Sequence, residues 1–121
     1  MANFAIYEYF FLMKYVFLFL AIILEVFGSS MLLKSESFSK IKPTLLMIVA
    51  FVGAFYFLSK ALKFMPLSIA YALWAGVGLV LTALVSFFVF KQKLDAAALI
   101  GIAFILVGVL VINLFSKTVT H

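Results

Sequence analysis

The chain has 121 residues, 69% of them hydrophobic and 11% charged, with a mean hydropathy of +1.36; a soluble domain of this size needs more polar surface, so lipid must cover much of it. It has no cysteine and no arginine, Asp95 is its one aspartate, and its single histidine, His121, is the last residue and expected to be frayed, so disulfides, metal clusters and hydrolytic triads lack their parts. The net charge of +5 comes wholly from lysines in short loops and at span ends, which suits lipid headgroups and not nucleic acid, where a basic face with arginine is wanted.

Residues 1–12 are aromatic-rich and carry Glu8, while Met13 and Lys14 would make a natural start of their own. The stretch reads as an N-terminal interfacial extension or a mis-called start, and both readings stay open. The apolar run that follows, about residues 14–33, matches the ~20 residues needed to cross ~30 Å of hydrocarbon. No Ala-x-Ala cleavage site follows it, so it reads as a retained span and not a secretory signal. Glu25 lies at its middle, the one group there that can change charge inside a membrane. An acid at the bilayer centre costs on the order of 3 kcal/mol, so it is expected to face a partner helix or a watery cavity and to handle ions or protons. The blander possibility is a structural glutamate hydrogen-bonded between helices, but no buried cation is expected to pair with it. At helical spacing Glu25 shares its face with Leu18, Ala21, Ile22, Gly28, Ser29 and Leu32. The face is small or aliphatic with one hydroxyl, so it admits a bulky organic guest or a close neighbouring helix.

A polar connection over residues 34–43 ends on Pro43, expected to start the next helix. The second span, about residues 44–64, carries Phe51, Phe55 and Leu58 as an aromatic stripe, with Lys60 and Lys63 expected in its last turn. Only Met65 and Pro66 separate it from the third span, about residues 67–90. There Tyr71 and Trp74 share one face at i, i+3, which suits an apolar organic cation through cation–π attraction or, more plainly, lipid-facing packing. Gly76 and Gly78 loosen that helix and permit a bend. After Lys91, Gln92, Lys93 and Leu94, Asp95 is expected to cap the fourth span, residues 96–115. That span has no ionisable group, and Gly101 and Gly108 on one face suit helix–helix assembly.

Alternating the four spans puts Lys14, Lys60, Lys63 and Lys117 on one side of the membrane and Lys34, Lys40, Lys42, Lys91 and Lys93 on the other. Orientation follows the lysine and arginine bias, and this split is almost none. Such a chain is expected to insert both ways and pair about an axis in the membrane plane.

Glu25, Val26, Phe27 and Gly28; Ser35, Glu36 and Phe38; Pro66; the string from Ala70 through Tyr71, Trp74 and Gly76 to Gly78; Asp95, Gly101, Gly108 and Asn113 together resemble the small multidrug resistance family, in register from Met13 to His121. The resemblance is to the quaternary-ammonium branch, since guanidinium exporters typically carry a tryptophan where Gly28 stands and a lysine near Asn113. Ser37 replaces a usual glycine, Lys34 is shifted by one position, and Phe51 stands where some drug-exporting members have tyrosine.

The resemblance implies an all-α integral membrane protein, with four transmembrane helices in a single domain over residues 13–121 and an antiparallel, dual-topology homodimer. It also implies a multi-pass protein of the bacterial inner membrane that exports lipophilic organic cations in exchange for protons. Glu25 would be the shared site, with Leu18, Ala21, Ile22, Gly28, Ser29, Phe51, Phe55, Tyr71 and Trp74 lining the pocket. No cofactor, metal, nucleic acid or enzymatic activity is implied. The alternatives are a guanidinium-type or polyamine exporter of the same plan, a hetero-paired transporter, or a non-transporting assembly subunit.

Overall fold

In the computed structural model, which describes residues 2–117, four helices follow one another: α1 (Ala2–Lys34), α2 (Ile41–Ala61), α3 (Leu67–Phe88) and α4 (Ala96–Phe115). His121 lies outside the described residues. Each helix is long and apolar enough to cross a membrane, so the all-α, four-span architecture follows. The chain forms two helical units that meet between Met65 and Pro66: α1 packs against α2 in the first, and α3 against α4 in the second.

α1 runs unbroken from Ala2, twelve residues ahead of the expected span. Nothing between Ala2 and Phe27 breaks a helix, since the first glycine is Gly28 and the first proline Pro43. At 1.5 Å per residue its 33 residues extend about 50 Å, well beyond ~30 Å of hydrocarbon. Lys14 is nearly buried, with its Nζ 4.9 Å from the Phe11 ring and 5.2 Å from the Tyr15 ring. The rings and stem cover the lysine, which keeps cation–π contact where it leaves water.

The α1–α2 seam is built from Leu18, Ala21, Ile22 and Val26 against a stripe of Met47, Ala50, Ala54, Leu58 and Ala61, all buried. The α2 positions recur every three or four residues, one face of a helix, and the alanines let the axes approach. The Phe17 and Phe57 rings stack across the seam at 6.3 Å.

Between α1 and α2, Ser35 organises the turn. It is fully buried; its Oγ donates to the Leu32 carbonyl at 2.7 Å and accepts from the Phe38 N–H at 3.1 Å. The Lys40 N–H donates to the Ser35 carbonyl at 3.0 Å, and Lys40 pairs with Glu36 at 3.3 Å. Glu36, Ser37 and Phe38 all have left-handed backbone, with φ of 48°, 61° and 68°. A non-glycine residue there costs about 1–2 kcal/mol, against roughly 0.5–1 kcal/mol of extra chain entropy when glycine is ordered. Ser37→Gly should therefore raise stability by about 0.5–1 kcal/mol, read as thermal unfolding in detergent. Ser37→Ala should bring no gain, and equal behaviour of the two variants would remove the strain argument.

Both boundaries of α2 depart from the sequence expectation. α2 starts at Ile41, so Pro43 falls in its first turn, where the missing N–H is not needed. It ends at Ala61, three residues early, and the link to α3 spans residues 62–66. Lys63 therefore lies outside the helix, while Lys60 stays in the last turn with its Nζ 5.4 Å from the Tyr56 ring. Pro66 disfavours helical backbone at Met65. The chain closes instead with the short i→i+3 bonds Lys63 N–H to Lys60 and Phe64 N–H to Ala61.

α3 ends at Phe88, two residues early, where Val89 and Phe90 both donate to the Val85 carbonyl and Lys91 turns left-handed at φ 59°. α4 begins as expected, with Asp95 Oδ1 accepting from the Ala98 N–H at 2.8 Å. None of its residues is buried.

Candidate functional site

Glu25 lies in the last third of α1, about two and a half turns before Lys34, and is half-buried. Its Oε1 accepts a hydrogen bond from Ser29 Oγ at 2.9 Å, one turn further on. Lys40 pairs with Glu36, and among the described residues no ion pair between Glu25 and a lysine is found. A carboxylate held by one hydroxyl keeps most of its acceptor capacity for something else.

The two flanks of Glu25 differ. Leu18, Ala21, Ile22 and Gly28 are buried in the helical unit, whereas Ser29 is half-buried and Leu32 exposed. The acid thus sits at the edge of the α1–α2 seam, with an aliphatic wall on the packed side. Gly28 carries that wall toward α2: a β-carbon there would stand 2.9 Å from Phe51 Cε1 and 3.3 Å from the Ala50 β-carbon. Only a hydrogen leaves room for the Phe51 ring, so the ring lies one turn of α1 from the carboxylate. Phe55 is largely exposed and Leu58 buried, so the aromatic stripe of α2 is divided between a packed and an open face.

In the second unit Tyr71 and Trp74 stack, with centroids 6.0 Å apart and planes inclined by 17°. Tyr71 is exposed and Trp74 half-buried, so the pair forms a flat aromatic surface. α3 passes unbroken through Gly76 and Gly78, both buried. Gly76 marks a close approach to α4, where a β-carbon would stand 2.9 Å from Val109 Cγ2. At Gly101 and Gly108 a β-carbon would meet nothing within 4 Å, leaving that face of α4 open.

Sequence reasoning passed over Gly53, where Leu24 approaches to 3.0 Å of an ideal β-carbon, and the ring contacts of Lys14. Gly53 stands three residues after Ala50, at the spacing of a packing face, and that was the signal available.

The family model described as Small Multidrug Resistance protein matches residues 13–105. The chain belongs to the small multidrug resistance family. It is similar to the quaternary ammonium compound-resistance protein QacC of Staphylococcus aureus, 48% identical over 106 residues, covering 88% of this chain and 99% of that one. QacH of Staphylococcus saprophyticus, also named a quaternary ammonium compound-resistance protein, is 45% identical over the same shares of both chains. The multidrug transporter EmrE of Escherichia coli K12 is 41% identical over 107 residues, covering 88% of this chain and 97% of that one. This small multidrug resistance protein is accordingly a transporter and not an enzyme, a multi-pass protein of the bacterial inner membrane.

Proposed function

We propose that this small multidrug resistance protein is a proton-coupled antiporter, exporting lipophilic and quaternary ammonium cations through Glu25 in an antiparallel homodimer. The observation that carries the reading is Glu25 itself. It is a carboxylate within a membrane span, held by the Ser29 hydroxyl at 2.9 Å and paired with no lysine among the described residues. Such a group binds one positive charge at a time, a proton or an organic cation, and that exclusivity couples the two flows. Two conformations that open the site to opposite sides are then exchanged according to which ligand each binds better. The names of QacC, QacH and EmrE support the cation class. The test is proton-driven uptake of a quaternary ammonium dye by the purified protein in liposomes; no uptake under an imposed pH gradient would overturn the reading.

Aromatic recognition is the part assigned to Tyr71 and Trp74. Their flat, partly exposed surface suits a delocalised cation. Trp74→Ala should weaken tetraphenylphosphonium binding by about 1–2 kcal/mol, a loss of roughly 5- to 30-fold. Trp74 fluorescence should change on binding. Unaltered affinity together with silent fluorescence would make the pair a packing feature.

The homodimer rests on the near-even lysine split of Lys14, Lys60, Lys63 and Lys117 against Lys34, Lys40, Lys42, Lys91 and Lys93. The open face at Gly101 and Gly108 suits contact with another helix. C-terminal reporters that are active on only one side of the membrane should give signal from both sides. Signal from one side alone would favour a transporter that needs a second, oppositely oriented partner chain.

A further inference from the structure

The second helical unit holds an apolar groove that the transport reading does not use. α3 and α4 touch at Gly76 and Val109, but toward their connecting loop they leave a gap of about 260 Å³ between Val80, Ala83, Leu84 and Phe87 of α3 and Leu99 and Ile102 of α4. The α3 side runs from Val80 to Phe87, eight residues and roughly 10 Å along the helix. Every side chain on this lining is hydrocarbon, so nothing in it would orient a polar guest. The volume is below the ~300–1,000 Å³ of a small-molecule pocket. It suits part of a single alkyl chain.

The loop end supplies the second observation. Leu94 also lines the groove, and it follows Lys91 and Lys93, both exposed. The loop is folded back onto α3: Lys91 is left-handed at φ 59° and the Gln92 N–H donates to the Ser86 carbonyl at 2.9 Å. The nearby acid, Asp95, is turned to the α4 N-terminus, where it accepts from Ala98. Two exposed lysines thus stand in the inter-span loop that also supplies Leu94 to the groove, and lysines beside the hydrocarbon attract anionic headgroups.

We propose that this groove holds one acyl chain of an anionic phospholipid whose phosphate pairs with Lys91 and Lys93. A zwitterionic headgroup would bring its own cation toward the lysines, so the site discriminates by net headgroup charge.

The test is native mass spectrometry of the full chain in detergent, titrated with phosphatidylglycerol or phosphatidylcholine of identical chains. The parent protein should retain phosphatidylglycerol about tenfold more strongly. The pair Lys91→Gln and Lys93→Gln should remove that preference, while Lys40→Gln with Lys42→Gln on the other loop should not. Ala83→Phe fills the groove and should lower phosphatidylglycerol retention with both lysines in place. Because the chain has no cysteine, Ala83→Cys gives a single thiol that can be blocked with an octyl reagent after folding, which answers the same question if the phenylalanine variant does not fold. Equal retention of the two lipids, or full retention with the groove blocked, would overturn the assignment. So would efficient disulfide cross-linking of two Ala83→Cys chains, which would make the occupant a second copy.

Discussion

Glu25→Gln should fold, insert and dimerise like the parent, yet bind no organic cation and release no protons. The amide nearly preserves the carboxylate's shape and can still accept from Ser29 Oγ, the contact made at 2.9 Å, so packing along α1 has no reason to change. What disappears is the charge and the exchangeable proton. If one carboxylate serves both ligands, cation binding to the parent must expel protons, and apparent affinity must fall as pH is lowered and the carboxylate is neutralised. Glu25→Asp keeps the charge but withdraws it by one methylene, out of reach of the same Ser29 geometry; it should bind with an altered pH dependence and transport poorly. The measurement is calorimetric titration with a quaternary ammonium ligand at two pH values, in buffers of different ionisation enthalpy. Normal affinity in Glu25→Gln, or no proton release in the parent, would show that Glu25 is structural.

The second large effect is expected at Gly28. A β-carbon there would stand 2.9 and 3.0 Å from two atoms of the Phe51 ring and 3.3 Å from the Ala50 β-carbon, so Gly28→Leu has no space unless the Phe51 ring swings away or α1 and α2 part. Overpacking of this kind costs about 1–3 kcal/mol, more than the roughly 1 kcal/mol gained by removing glycine from a helix interior. The variant should unfold earlier in detergent. Phe51→Ala, introduced with it, opens room for the leucine and should restore most of the loss, giving a favourable coupling between sites. Because Gly28 lies three residues from Glu25, Gly28→Leu alone should also weaken cation binding. Equal stability of Gly28→Leu and the parent, or no rescue by Phe51→Ala, would remove Phe51 from the wall beside the acid.

Fold class was legible because membrane spanning depends on the length and apolarity of a run, which are linear properties of the chain. α4 falls on Ala96–Phe115 and α3 starts at Leu67, as read from the sequence, since an aspartate cap and a proline are local signals. The C-terminal ends of α2 and α3 were placed late. Apolar residues continue past both ends, and what stops these helices is backbone bonding in the turns: Phe64 to Ala61, Phe90 to Val85 and Gln92 to Ser86.

Glu25 and its serine partner were also legible, because an acid in hydrocarbon is improbable without purpose and a residue four positions on shares its face. Helical spacing alone, however, put Leu18, Ala21, Ile22, Gly28, Ser29 and Leu32 into one undivided set. The fold divides it. The first four are buried in the helical unit, and only Ser29 bonds the acid. Periodicity states which residues share a face of one helix, not which neighbour that face meets. The approach of Phe51 to Gly28, of Leu24 to Gly53 and of Val109 to Gly76 depends on how two helices cross, and that is decided by close packing between segments far apart in the chain.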